Sequence, residues 1–189
     1  MEHKGTKILE TKRLILRPFT MNDAAAMYNN WANDPEVTEY LSWPTHGCIE
    51  VTESVLESWI TQYEDLGFYQ WAITLKEEGD EPIGSISIVG KKDSIKMVHV
   101  GYCLGKKWWR MGLMSEALSV LIKFFFEEVG VNRIESEFDP NNPNSGKVME
   151  KCGMKYEGTL REVIPTPRYG LSDSMRYAIL ASDYNKESK

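Results

Sequence analysis

The chain has 189 residues, 42% hydrophobic and 26% charged, the balance of an ordinary soluble globular protein with one substantial core. Its net charge of -6 argues against nucleic acid as a partner, because phosphate binding normally shows as a basic face. The most apolar run, "ALSVLIKFFF", is short and broken by Lys123, which argues against a membrane span.

Cys48, Cys103 and Cys152 are too few and too scattered for a disulfide framework or a zinc site, so buried or half-buried free thiols are expected. The opening "MEHKGTKILE" lacks the apolar stretch of a signal peptide, and a cytoplasmic protein is the expectation. No repeat, low-complexity tract or linker divides the chain, which predicts a single domain over residues 1–189 with its core over about 8–182.

In chain order, "RLILRPF" (13–19) alternates and stops at Pro18, as a first strand would. "TMNDAAAMYNNWAND" follows as a helix, with Thr20 or Asn22 as its cap. A second helix is predicted from about Thr45 to Leu66, burying Val51, Val55, Trp59 and Tyr63, with Glu50, Glu53, Glu57 and Glu64 on a solvated face. "YQWAITL" and "PIGSISIVG" flank the polar turn "KEEGDE" as a hairpin, and "SIKMVHVGYCLG" (94–105) is a third long strand. The segment from Gly112 to about Gly130 has the period of a helix. Leu113, Ala117, Leu118, Leu121, Phe124 and Phe125 fall on one face, while Ser115, Glu116, Ser119, Lys123 and Glu127 point away. "RIESEF" is a short strand, "NPNSGKVMEKCG" a short helix with Pro143 in its first turn, and "MKYEGTL" and "SMRYAIL" are closing strands. This order predicts an α/β (α+β) fold, a single mixed, mostly antiparallel sheet covered by helices on both faces. The step from 94–104 through the long helix to 133–138 is a crossover between parallel strands.

Such a crossover puts unpaired amides at the start of the long helix, where the helix dipole favours an anion. Gly112 lets a ligand approach the backbone, and Lys106, Lys107 and Arg110 stand in front of it. On these residues alone, an anion seat and a solvated basic turn are both consistent. The chain lacks a G-x-x-x-x-G-K-[ST] loop, a G-x-G-x-x-G fingerprint, an H-E-x-x-H zinc motif and a G-x-S-x-G elbow.

"WWRMGLMSEA", followed about 26 residues after its glutamate by "NPNSGKVMEKCGMKYEG", resembles the GNAT superfamily of acetyl-CoA-dependent N-acetyltransferases. The opening "LETKRLILRPFTMNDAAAMY…WANDPEV" is similar to its RimJ/RimL-like branch, which includes acetylases of ribosomal-protein N-termini. The resemblance covers about residues 8 to 182 and implies a GNAT-like acyl-CoA N-acyltransferase fold, with acetyl-CoA as co-substrate and no metal. The family's pyrophosphate loop, Q/R-x-x-G-x-G/A, falls on Trp109, Arg110, Met111, Gly112, Leu113 and Met114, and only Gly112 matches at its place. Ser115 follows in the first turn, and the resemblance implies that Cys103 and Leu104 offer backbone bonds to the pantetheine arm. The motif N-x-x-S falls on Asn142 and Ser145, the first near the cofactor and the second near its sulfur; by position alone Asn142 is a helix N-cap and Ser145 a first-turn residue. No tyrosine stands between Ser145 and Cys152, where other members carry their acid.

Moving an acetyl group from a thioester to an amine requires a neutral amine, a stabilised oxyanion and a thiolate that leaves. His99, in "MVHVGYCL", lies where the superfamily often has a glutamate, and its ordinary pKa of about 6.5 suits a base near neutrality. By alternation it shares a face with Met97, Gly101 and Cys103, opposite Val98, Val100, Tyr102 and Leu104. A structural histidine in an apolar strand fits the same spacing. The expected acceptor is a primary amine, either a protein N-terminus or a small molecule such as a polyamine, an amino acid or an aminoglycoside. A CoA-binding module without catalysis is the other class that fits, and a monomer or homodimer suits either. The acceptor pocket is expected from the second helix, the loop "LSWPTHG" and the segment "VIPTPRYGLSD".

Overall fold

The structure, a computed structural model, describes residues 1–166 and 170–187. Eight strands form one sheet in the order β1-β2-β3-β4-β5-β6-β8-β7. They are β1 (Leu9–Glu10), β2 (Leu14–Arg17), β3 (Gln70–Leu75), β4 (Pro82–Lys92), β5 (Met97–Leu104), β6 (Arg133–Phe138), β7 (Lys155–Thr166) and β8 (Gly170–Leu180). Every neighbouring pair is antiparallel except β5 and β6, the pair joined by the long helix, as the crossover predicted. The closing strands are longer than "MKYEGTL" and "SMRYAIL"; residues 167–169 of "VIPTPRYGLSD" lie outside the described residues.

The helices cover both faces. On one face α4 (Leu113–Phe124) presents Leu113, Ala117, Leu118 and Leu121 to Val98, Val100 and Leu104 of β5 and to Ile134 of β6. Its end continues as a π-helical turn, Phe125–Val129, before Gly130 stops it. The two phenylalanines close the core edge-on to Tyr69 and Trp71, with Tyr69–Phe125 ring centroids 4.9 Å apart. α5 (Pro143–Lys151) lies on this face too, where a Cβ on Gly146 would strike the Phe138 ring at 2.5 Å. The short α6 (Ala181–Glu187) follows β8.

On the opposite face α1 (Ala24–Met27) runs between a 3-10 turn (Met21–Asp23) and a π-helical turn (Tyr28–Ala32), so the predicted first helix is present but irregular. Thr20 caps it, its amide donating to Asp23 Oδ2 at 2.7 Å. α2 (Pro35–Thr38) starts at Asp34, whose carboxylate accepts from the Glu36 amide at 2.8 Å. α3 (Ile49–Gln62) has a different buried stripe from the expected one. Thr52 and Leu56 are fully buried, Val51 is 43% exposed, and Val55 and Trp59 are half-buried. The acidic side chains Glu50, Glu53 and Glu57 are in solvent, as expected. The expected burial of all three cysteines fails at Cys48, which is exposed at the start of α3.

β4 and β5 approach closely at Gly84, where a Cβ would lie 2.5 Å from the Cys103 carbonyl oxygen. Gly84→Ala is therefore expected to destabilise the fold by about 1–3 kcal/mol. Urea unfolding should show a lower midpoint with an unchanged slope.

Candidate active site

The parallel ladder between β5 and β6 holds for only four residue pairs, Met97–Val100 with Arg133–Ser136, after which the strands part. At the vertex the buried Ser136 hydroxyl donates to the Val100 carbonyl at 2.9 Å, satisfying a group that the diverging strand leaves behind. Beyond it β5 remains paired with β4 alone, and Gly105 N donates to Ile83 O at 2.8 Å. Antiparallel pairs alternate between bonded and non-bonded, so counting back from Gly105 turns the backbone of Cys103 and Gly101 toward β4. The backbone of Tyr102 and Leu104 faces the opening. The expectation for Cys103 is corrected accordingly: its amide and carbonyl belong to the ladder, and Tyr102 offers the free groups. Leu104 keeps only its N–H for a ligand, because its carbonyl accepts the Trp109 indole at 2.7 Å.

Where β5 ends, the chain makes a 3-10 turn (Lys106–Trp108) and then a kinked loop in which Arg110 (φ 63) and Gly112 (φ 73) are both left-handed. The first bond of α4 runs from Glu116 N to Gly112 O at 3.2 Å, so the amides of Gly112, Leu113, Met114 and Ser115 have no intrahelical partner. Glu116 anchors this loop rather than pointing away. One of its oxygens accepts from the Arg13 amide at 2.9 Å and the Thr11 hydroxyl at 2.5 Å, the other from Arg13 Nε at 2.7 Å. Arg13 completes the staple by donating to the Met111 carbonyl at 3.0 Å; against the effect of burial, the Thr11 hydroxyl and then the hydrogen bonds and charge of Arg13 hold the Glu116 carboxyl below the usual range. Ser115 is also buried rather than outward; its carbonyl accepts from the Ser119 hydroxyl at 2.8 Å and the Cys152 thiol at 3.3 Å. Met114 is buried beside it, whereas Met111 and Trp109 are exposed.

His99 projects from the face of β5 opposite α4. Its Nε2 lies 3.8 Å from Glu137 Oε1, and Glu137 is held in turn by Arg176 at 2.8 Å and by the Ser174 hydroxyl. Burial lowers the His99 pKa; Glu137 pulls it upward and Arg176 downward. On the far side of the opening, Asn142 occupies the N-cap position of α5 without the side-chain capping bond expected of it. Ser145 stands half-buried in the first turn, and its carbonyl accepts the Tyr102 hydroxyl at 3.0 Å. Burial pushes the Tyr102 phenol far up, so it stays protonated. His99, Glu137, Tyr102, Leu104, the residues Gly112 to Ser115, Asn142 and Ser145 line one cleft of about 1240 Å3.

The chain matches the acetyltransferase (GNAT) domain family over residues 13–155. It belongs to the GNAT acetyltransferases. It is 32% identical to the uncharacterized N-acetyltransferase YoaA of Bacillus subtilis, over 82% of this chain and 86% of that protein. The [ribosomal protein uS5]-alanine N-acetyltransferase of Escherichia coli is 30% identical over 39% of this chain and 38% of its own. Among solved structures, a GNAT-family acetyltransferase from Bacillus anthracis superimposes with a TM-score of 0.80 at 26% identity, over 93% of this chain and 99% of the other. The protein is thus an acetyl-CoA-dependent N-acetyltransferase, and its acceptor is an amine.

The residues present suit the acyl donor. Four unspent amides at the start of α4 make an anion seat, and its surroundings are cationic: a Cβ on Gly112 would lie 3.6 Å from Lys151 Nζ and 3.8 Å from an Arg13 terminal nitrogen. Arg110, Lys147 and Lys151 line the same end of the cleft. The outward backbone of Tyr102 and Leu104 suits an amide-bearing arm laid along β5 as an added strand would be. Lys151 and Arg13 were not singled out in the sequence. Lys151 lies nine residues after Asn142 on a different helix from the loop, and Arg13 at the start of β2, so only the tertiary contact gives either a role. Glu137 sits in the regular alternation of "RIESEF", where nothing marks it as a partner of His99.

A Cβ at Gly112 would stand in the left-handed region, at a cost of about 1–2 kcal/mol. Gly112→Ala is expected to weaken acetyl-CoA binding about tenfold in a calorimetric titration, with a smaller effect on folding.

Proposed function

We propose that this acetyltransferase works by direct attack in a ternary complex, with a primary amine as acceptor of the kind found at a protein N-terminus. The feature that carries this reading is the parting of β5 and β6, which brings the His99 imidazole, the outward amides of β5 and the start of α4 to one cleft. The amides of Gly112 to Ser115, with Arg110, would hold the pyrophosphate, and Trp109, Met111 and Met114 would shape that loop. Tyr102 and Leu104 would hold the pantetheine arm, with Asn142 and Ser145 on the opposite wall.

In the transfer step the amine nitrogen attacks the thioester carbonyl carbon. The C–N bond forms, the C–S bond breaks, and the proton from the amine passes to His99, directly or through water. An outward N–H of β5 meets the growing oxyanion. The departing thiolate takes a proton from the Ser145 side, where the protonated Tyr102 hydroxyl also stands. Cys103 lines the cleft, but burial raises its thiol pKa and so disfavours the thiolate that an acyl-enzyme route would require. The likeness to the uS5-alanine acetyltransferase of Escherichia coli supports the N-terminal acceptor and a place in the RimJ/RimL-like branch. No helix among the described residues is long and apolar enough to cross a membrane.

His99→Ala is expected to lower kcat by about a hundredfold or more, and a loss under about tenfold would reject the role. Because burial favours the neutral imidazole, His99 should titrate below the ordinary value of about 6.5 when followed by NMR. The base would then be fully competent at neutral pH, and activity would be lost as pH falls through that titration.

A further inference from the structure

The second half of the cleft differs in chemistry from the half around α4. Its floor is made by the small side chains of Ser85 and Ser87 of β4 and Cys103 of β5, with Val89 lying over Gly101, 2.8 Å from where a Cβ would stand. Its roof is aromatic. The fully buried Trp31 and the half-buried Trp59 come from the helical layer, with Phe19 behind both at ring-centroid distances of 6.4 and 5.2 Å. Val55 continues the roof along α3, and Trp43 closes one side, 5.2 Å from the His46 ring. Small residues below and large flat ones above leave a slot between sheet and helices, and this slot opens onto His99.

The slot offers little charge to a polycation. Among the described residues, Glu36 pairs with Lys106, Glu39 is engaged, and Glu137 pairs with Arg176. One oxygen of Asp139, just past the end of β6, accepts from Asn141 at 2.8 and 2.9 Å, leaving the buried Asp139 Oδ2 without a hydrogen bond. His46 bonds the Thr52 hydroxyl at 2.8 Å, and burial lowers its pKa, which favours a neutral ring.

We infer that the acceptor is a primary amine with a single positive charge and a bulky apolar group within one or two carbons of the nitrogen, the apolar group lying between Trp59 and the Ser85–Cys103 floor. The inference rests on the acetyltransferase reading and deepens it. The same chemistry has two sources, a peptide beginning with Phe or Leu and a free arylalkylamine. Alanine, the acceptor residue named for the Escherichia coli relative, would leave most of the slot unfilled.

The test is thiol release from acetyl-CoA by the wild-type enzyme with peptides beginning with Phe, Leu, Ala, Gly or Lys, with phenethylamine, and with spermidine and an aminoglycoside. Apolar acceptors should exceed Gly- and Lys-initiated peptides, spermidine and the aminoglycoside by about tenfold or more in kcat/KM, the worth of burying one large side chain. Turnover of the Phe peptide over phenethylamine would identify a protein acceptor, the reverse a free amine, and either order supports the inference. Trp59→Ala should raise KM for the apolar acceptor about tenfold while KM for acetyl-CoA stays within about twofold. Trp43→Ala, at the rim of the slot, should act in the same direction if loss of Trp59 disturbs folding. Equal rates across the peptides, or a preference for spermidine or the aminoglycoside, would overturn the inference and leave the acetyltransferase reading standing. Thermal stabilisation by acetyl-CoA without turnover of any amine would overturn both.

Discussion

The separation of two parallel strands after Val100 and Ser136 is the constraint on which the rest of this enzyme depends. Parallel strands in a sheet normally keep their ladder, because an unpaired buried carbonyl is costly. Here the cost is offset at one point by the Ser136 hydroxyl on the Val100 carbonyl, and beyond it β5 is free to turn its outer backbone groups toward a ligand. The same divergence opens both faces of the sheet at once. The α4 side presents unspent amides, and the α3 side carries His99.

The opening is useful only if its edges stay fixed, and charge-assisted bonds hold them. Glu116 ties the Thr11–Arg13 turn to α4, and through Arg13 to the Met111 carbonyl, so the loop with two left-handed residues is clamped from the opposite end of the sheet. Arg17 does similar work on the other face, pairing with Asp23 at 2.8 Å and with Asp80 at 2.8 Å, which joins β2 to the start of the first helix and to the β3–β4 turn. On the far wall, Arg176 of β8 fixes Glu137 beside His99. Each network includes a contact between residues far apart in sequence, Arg13 with Glu116, Arg17 with Asp80 and Glu137 with Arg176.

Several features were legible in the residues themselves. The alternation of "MVHVGYCL" put His99 and Tyr102 on opposite faces of one strand, as the structure has them, because side chains in a strand alternate whatever the surroundings. Gly112 marked the start of α4 for a similarly local reason, since a left-handed turn into a helix favours a residue without Cβ. The stripe expected of α3 fails at Val51, which is exposed, whereas Val55 and Trp59 are half-buried against the core of that face. Val55 and Trp59 also line the cleft, and a fully buried position belongs to Thr52, whose hydroxyl is bonded to His46. A hydrophobic stripe reports what avoids water in the free helix and does not separate a core from a binding slot. The same period places Ser115 outward, but the structure buries it, and its carbonyl accepts from Ser119 and Cys152.

The sequence by itself determined the order of strands and helices, the parallel crossover and the family, because local periodicity and short motifs encode these directly. The tertiary structure decided which backbone groups are free. Cys103 and Tyr102 are adjacent, and only the register against β4, pinned by Gly105 on Ile83, gives the outward position to Tyr102. It also decided the partners of charge, Lys151 beside Gly112 and Glu137 beside His99, since electrostatic contacts depend on distance in space and leave no period in the chain.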